Sequence, residues 1–107
     1  MFNNFNSKAP SISMEMAKNN LSNDTSIYLI DVRTPTEYIQ GHIPNSINIP
    51  LDTAFNIESI VVDKNSKIYV YCQSGNRSNK ASKIYRDLGY INTTNIGGIV
   101  SWTGKIV

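Results

Sequence analysis

Two nearly unbroken apolar runs constrain this chain more than anything else in it. Ile27-Tyr28-Leu29-Ile30-Asp31-Val32 is interrupted by a single acid, and Lys67-Ile68-Tyr69-Val70-Tyr71-Cys72 is β-branched and aromatic after its lysine. A strand with one wet face alternates polar and apolar residues. A continuous run needs cover on both faces, as in a parallel sheet between helices. Helical patterns supply that cover. Met14, Ala17 and Leu21 share one helical face behind a Ser13 N-cap. Thr34-Pro35-Thr36-Glu37 combines an N-cap, a proline at the first helical position and a capping-box acid, and Gly41 keeps that helix short. From Asn76 to Leu88, Ala81, Ile84, Tyr85 and Leu88 fall at i, i+3, i+4 and i+7, and Gly89 stops the helix. The expected fold is a three-layer α/β/α domain, a small parallel sheet flanked by helices, with right-handed crossovers.

The remaining segments read less sharply. Ile47-Asn48-Ile49 is a short strand stopped by Pro50. Phe55, Ile57 and Ile60 are expected to pack a short helix within Leu51–Val62. Asn92 to Ile96 is a last strand, Gly97-Gly98 a turn, and Ile99 to Trp102 the start of a final helix. The 107 residues suit one domain, 1–107, with a polar lead-in over residues 1–10. With 40% hydrophobic and 17% charged residues the composition is that of a globular protein. A net charge of +2 with scattered basic residues argues against a nucleic-acid or membrane partner. The single cysteine excludes an internal disulfide, and with a single histidine it argues against a metal site; no cofactor is expected. The N-terminus lacks the pattern of a secretory signal, and no apolar run approaches the roughly 20 residues of a membrane span. The expected location is cytoplasmic.

Both apolar runs end in polar chemistry, Asp31-Val32-Arg33 in one and Cys72 in the other. In open parallel sheets, ligands sit beyond the carboxyl ends of the strands. After Cys72 come Gln73, Ser74, Gly75, Asn76, Arg77 and Ser78, a polar loop that runs into a helix. Successive backbone N–H groups in such a loop form an anion nest, and the helix start adds its unpaired N–H groups and positive dipole end. A thiol at the mouth of that nest is stabilised as thiolate, its reactive form. Arg77 adds a planar donor fork suited to an oxyanion. A lone strand-end cysteine is more commonly a buried filler, and the loop alone leaves both readings open.

Three ordered blocks extend the argument: "LIDVRTPTEYIQGHIPNSINIPL" (29–51), "IYVYCQSGNRS" (68–78) and "LGYINTTNIGGIVSW" (88–102). In these the chain resembles the single-domain rhodaneses, thiosulfate sulfurtransferase-like proteins. The resemblance implies that Cys72 accepts a sulfane sulfur, becomes a persulfide and passes the sulfur on by double displacement. It implies that Gln73, Ser74, Gly75, Asn76, Arg77 and Ser78 hold the persulfide charge and, with Arg33, bind the donor. The expected partners are a small-molecule sulfur donor or a persulfidated protein, and a thiol acceptor. A sulfur-carrier or interaction module without turnover is the alternative. A phosphatase or arsenate reductase of the related fold is a further one; the phosphatase loop is longer by one residue than the four between Cys72 and Arg77, a size that favours a sulfur atom over a phosphoryl group. Asp31 is expected to accept loop N–H groups and pair with an arginine, Glu37 to complete its capping box, and His42 to bond backbone. Trp102 is expected to pack beside Gly97-Gly98, Tyr71 to lie in the core, and Lys80 and Lys83 to form a solvated face.

Overall fold

The computed structural model describes residues 8–107. Four parallel strands, β1 (Tyr28–Asp31), β2 (Ile47–Asn48), β3 (Ile68–Cys72) and β4 (Thr93–Gly98), form one sheet in the order β2-β1-β3-β4. Helix α1 (Met14–Asn23) precedes β1, α2 (Pro35–Gln40) joins β1 to β2, a 3₁₀ segment (Leu51–Asn56) and α3 (Ile57–Ile60) join β2 to β3, and α4 (Asn76–Asp87) joins β3 to β4. The α/β architecture and parallel sheet expected from the apolar runs are therefore present. No helix among the described residues is long and apolar enough to cross a membrane.

Strand alternation splits the core in two. Ile30, Val32, Ile68, Val70 and Cys72 point to one face, packed with Ala54, Ile57, Ala81 and Tyr85. Leu29, Tyr71 and Ile96 point to the other, against Met14 and Ala17 of α1. The helix ends obey their predicted caps: Ser13 Oγ accepts from the Met16 N–H at 3.1 Å, and Thr34 and Glu37 form a complete capping box. The chain leaves β1 towards β2 and leaves β3 towards β4. This reversal is the topological switch at which parallel sheets place ligands.

Several expectations need correction. Phe55 is 66% exposed and Ile60 is exposed as well; Ala54 and Ile57 anchor this segment instead. The 3₁₀ geometry, broken at Thr53, changes the phase of the side chains, so an α-helical spacing misplaces them. Gly97 and Gly98 lie inside β4 rather than in a turn after it. Beyond β4 the expected final helix is a single 3₁₀ turn, Ile99–Ser101. Of the lead-in over residues 1–10, the first seven fall outside the described residues. The rest is tied down: Ala9 is buried, the Asn95 N–H donates to the Pro10 carbonyl at 2.9 Å, and Ser11 forms a parallel bridge with Asn95. Trp102 packs on the α1 side, and its Nε1 donates to the Lys105 carbonyl at 2.9 Å, which anchors the C-terminal segment.

Tyr71 ties the Gly41–Ser46 loop to the sheet. Its hydroxyl accepts from the Ile43 N–H at 3.1 Å and donates to Ser46 Oγ at 3.2 Å, all within the core. Burial pushes the phenol upward from its ordinary value. Tyr71→Phe leaves the buried Ile43 N–H without a partner and is expected to cost about 1–3 kcal/mol in urea unfolding, with the slope of the transition unchanged.

Candidate active site

Cys72 ends β3 on the α4 side of the sheet and is 1% exposed. The chain then turns through Gln73 and Ser74 to Gly75, which takes a left-handed conformation at φ 109° and caps α4. That conformation folds the Gly75 N–H back onto the strand end, where it donates to Cys72 Sγ at 3.0 Å. Ser78, in the first turn of α4, brings its Oγ to 3.4 Å from Sγ. Burial pushes the thiol up. The Ser78 hydroxyl and the backbone N–H groups of Ser78, Gly75 and Ser74 outweigh it, and the net shift is downward. Backbone N–H groups of the loop and of the start of α4 thus face Sγ.

β4 supports this loop from the side. Between Val70 and Tyr71 its register against β3 slips by one residue, which bulges the strand at Ile96. Gly97 follows at φ 91°, with its N–H donated to Asn95 Oδ1 at 3.0 Å. The same Oδ1 accepts from Ser78 Oγ at 2.8 Å. Asn95 therefore takes the Ser78 proton, and Ser78 Oγ accepts from the Cys72 thiol. Gly98 lies directly against the loop: a Cβ placed there would be 2.2 Å from the Gln73 carbonyl oxygen and 2.6 Å from Ser74 Cα. Sequence reasoning missed Asn95, because its role depends on a bulge that pairs residues far apart in the chain.

Gln73, Ser74 and Asn76 are exposed at the mouth of the loop, and Gly75, Arg77 and Ser78 line its turn into the helix. Arg77 is clasped by Glu37, with Nη1 2.7 Å from Oε1 and Nη2 3.0 Å from Oε2. Arg77 and, second, the Thr34 N–H hold the Glu37 carboxyl down at about 2. Glu37 is thus more than a capping residue: it links α2 to the Cys72 loop. Arg33 is on the same rim but on the other face of the sheet. Its guanidinium pairs with Asp31 at 2.8 Å, donates to the Gly41 carbonyl at 2.6 Å and sits 5.8 Å from the Tyr71 ring centre. Asp31 and Arg33 are two residues apart and share the Tyr71 side, whereas Cys72 faces α4. Of the expected site residues, Gly75 and Ser78 contact Sγ, Arg77 is turned to Glu37, Gln73, Ser74 and Asn76 are exposed, and the Arg33 fork lies on the Asp31 side. His42 stacks on Tyr38 at 3.7 Å, its Nδ1 2.8 Å from the Tyr38 carbonyl. Lys80 and Lys83 are exposed on α4.

Ser78→Ala removes the hydroxyl beside Sγ that holds the thiol down, so the thiol shifts upward. Alkylation of Cys72 by iodoacetamide at pH 7 is expected to slow by on the order of tenfold, the worth of one hydrogen bond to a charged group. The rate-versus-pH curve should move to higher pH; an unmoved curve would remove Ser78 from the cradle.

Residues 13–105 match the family described as "Rhodanese-like domain". Among curated relatives, the adenylyltransferase and sulfurtransferase uba4 of Ogataea parapolymorpha is 41% identical over 87 residues, which is 80% of this chain and 22% of that protein. The putative sulfur carrier protein YrkF of Bacillus subtilis is 35% identical over 92% of this chain and 54% of its own length. The thiosulfate sulfurtransferase PspE of Escherichia coli is 42% identical over 65% of this chain and 68% of its own. The chain thus spans about a fifth of the first of these and about half of the second. Among solved structures, a rhodanese-related protein from Thermoplasma volcanium superposes with a TM-score of 0.78 at 34% identity, over 92% of this chain and 97% of that one.

Proposed function

The chain belongs to the rhodanese-like family, and on that premise we propose that it is a sulfurtransferase whose nucleophile is Cys72. The Cys72 thiolate attacks the outer, sulfane sulfur of a donor such as thiosulfate. The S–S bond of the donor breaks and sulfite leaves with its electron pair, while Cys72 is left as a persulfide. A thiophilic acceptor, cyanide in vitro or a thiol in its place, then takes the outer sulfur and the thiolate returns. No external oxidant or reductant enters. Gln73, Ser74, Gly75, Asn76, Arg77 and Ser78 form the cradle around the transferred atom.

The observation that carries this reading is the Gly75 N–H donated to Sγ at 3.0 Å at the start of α4, with Ser78 Oγ 3.4 Å from the same sulfur. Such a cradle stabilises both the attacking thiolate and the persulfide anion that replaces it. The turn is short, with four residues between Cys72 and Arg77, which suits a single added sulfur better than a phosphoryl group with three oxygens. The test is intact-mass analysis after exposure to thiosulfate: the protein gains the mass of one sulfur, and a reductant removes it. A protein of unchanged mass would sink the proposal for this donor.

A second reading, a sulfur carrier without rapid turnover, is favoured by the near-complete burial of Cys72. It is also favoured by the likeness to YrkF, a putative sulfur carrier by name. A carrier loads sulfur yet forms thiocyanate slowly from cyanide, so loading and turnover measured side by side separate the two readings.

A further inference from the structure

Glu37 takes both ends of the Arg77 fork, and Arg77 is the one cation of the Cys72 loop. The second arginine on this rim, Arg33, is paired with Asp31. Next to the loop lies a cavity of about 370 Å³ lined by Val32, Pro35, Pro50, Leu51, Asp52 and Arg77, among others. Val32, Pro35, Pro50 and Leu51 form its apolar wall, Arg33, Thr34, Asp52 and Arg77 line the rest, and Asp52 has no ion-pair partner among the described residues. Each cation at this rim is therefore neutralised by a carboxylate, with one carboxylate left over. A doubly charged anion gains little from such a surface, because its attraction to Arg77 is opposed by Glu37 at contact distance.

We infer that Glu37 is a specificity-determining residue: by occupying the Arg77 fork it withholds the loop's cation from thiosulfate and tunes the site to organic persulfides of low charge. The inference rests on the sulfur-transfer reading and names its donor class. In the step it describes, the Cys72 thiolate attacks the outer sulfur of R–S–SH. The S–S bond of the donor breaks, R–S⁻ leaves with the bonding pair, and the transferred sulfur keeps its proton as Cys72–S–SH. The apolar wall formed by Pro35, Pro50 and Leu51 receives the R group.

Glu37→Gln tests this without dismantling α2, because glutamine fills the same place in a capping box. Initial rates of Cys72 loading are measured by intact mass with two donors, the dianion thiosulfate and 2-hydroxyethyl persulfide, which carries at most a single negative charge. The expected result is that the ratio of kcat/KM for thiosulfate to that for the alkyl persulfide rises about tenfold in Glu37→Gln, the worth of one charge-assisted contact. The change is expected in the thiosulfate KM. In the double variant Glu37→Gln/Arg77→Gln, the gain is expected to vanish, because the freed guanidinium is its source. An unchanged ratio overturns the inference, and so does a gain that survives removal of Arg77. Failure of sulfur transfer itself has a different signature: neither wild type nor variant would gain sulfur from either donor.

Discussion

Cys72→Ser is expected to gain no sulfur from thiosulfate or from an organic persulfide, and its formation of thiocyanate to fall to the rate without protein. The substitution changes one atom, and it separates chemistry from folding. A serine hydroxyl is almost wholly protonated at neutral pH, and an oxygen nucleophile forms no persulfide to hand on. The hydroxyl still fits the Gly75 N–H, which donates to Sγ at 3.0 Å, and it occupies nearly the same buried volume. The melting temperature should therefore stay within a few degrees of wild type. If Cys72→Ser were to load or turn over sulfur as fast as wild type, the nucleophile would lie elsewhere and the assignment would fail.

Gly98→Ala has the second large effect, through shape alone. The added methyl would stand 2.2 Å from the Gln73 carbonyl oxygen and 2.6 Å from Ser74 Cα, and both are backbone atoms with no rotamer to change. Either β4 or the loop must move by more than half an ångström. Overpacking of this kind costs about 1–3 kcal/mol. A displaced loop carries the Gly75 N–H away from Sγ, and a misplacement of roughly 1 Å can cost about a hundredfold in rate. Gly97→Ala serves as the comparison. A Cβ there meets nothing within 4 Å, but the residue holds φ 91°. That variant should lose stability through backbone strain, about 1–2 kcal/mol, and lose less of its loading rate than Gly98→Ala. Equal loss of rate in the two would mean that the close approach of β4 does not set the loop.

Local signals in the chain were reliable guides. The capping box at Thr34 and Glu37, the Ser13 cap, the two apolar strands and the buried face of α4 each depend on residues a few positions apart, and each is present. The features that escaped sequence reasoning depend on distance or on phase. Glu37 and Arg77 are 40 positions apart, and only the docking of α2 beside the loop brings them together. Ser78 and Asn95 meet through a bulge that no spacing announces. Arg33 shows a subtler limit. Its alternation with Asp31 was readable, but the face it shares follows from the pairing of Asp31 with Tyr71, a register between separate strands. Phe55 misled because a 3₁₀ segment turns its side chains by a different angle per residue than an α-helix does.

The bridge between Ser11 and Asn95 bears on how copies of this chain meet. An exposed strand border presents unpaired N–H and C=O groups and invites another chain to add a strand. Here the Pro10 carbonyl and the Ile12 N–H occupy the backbone of Asn95 along the outer border of β4. On the opposite border, β2 is two residues long and ends just before Ile49 and Pro50, too short to template a neighbour. The sheet is thus guarded at both sides against intermolecular strand addition, on one by the lead-in segment and on the other by brevity.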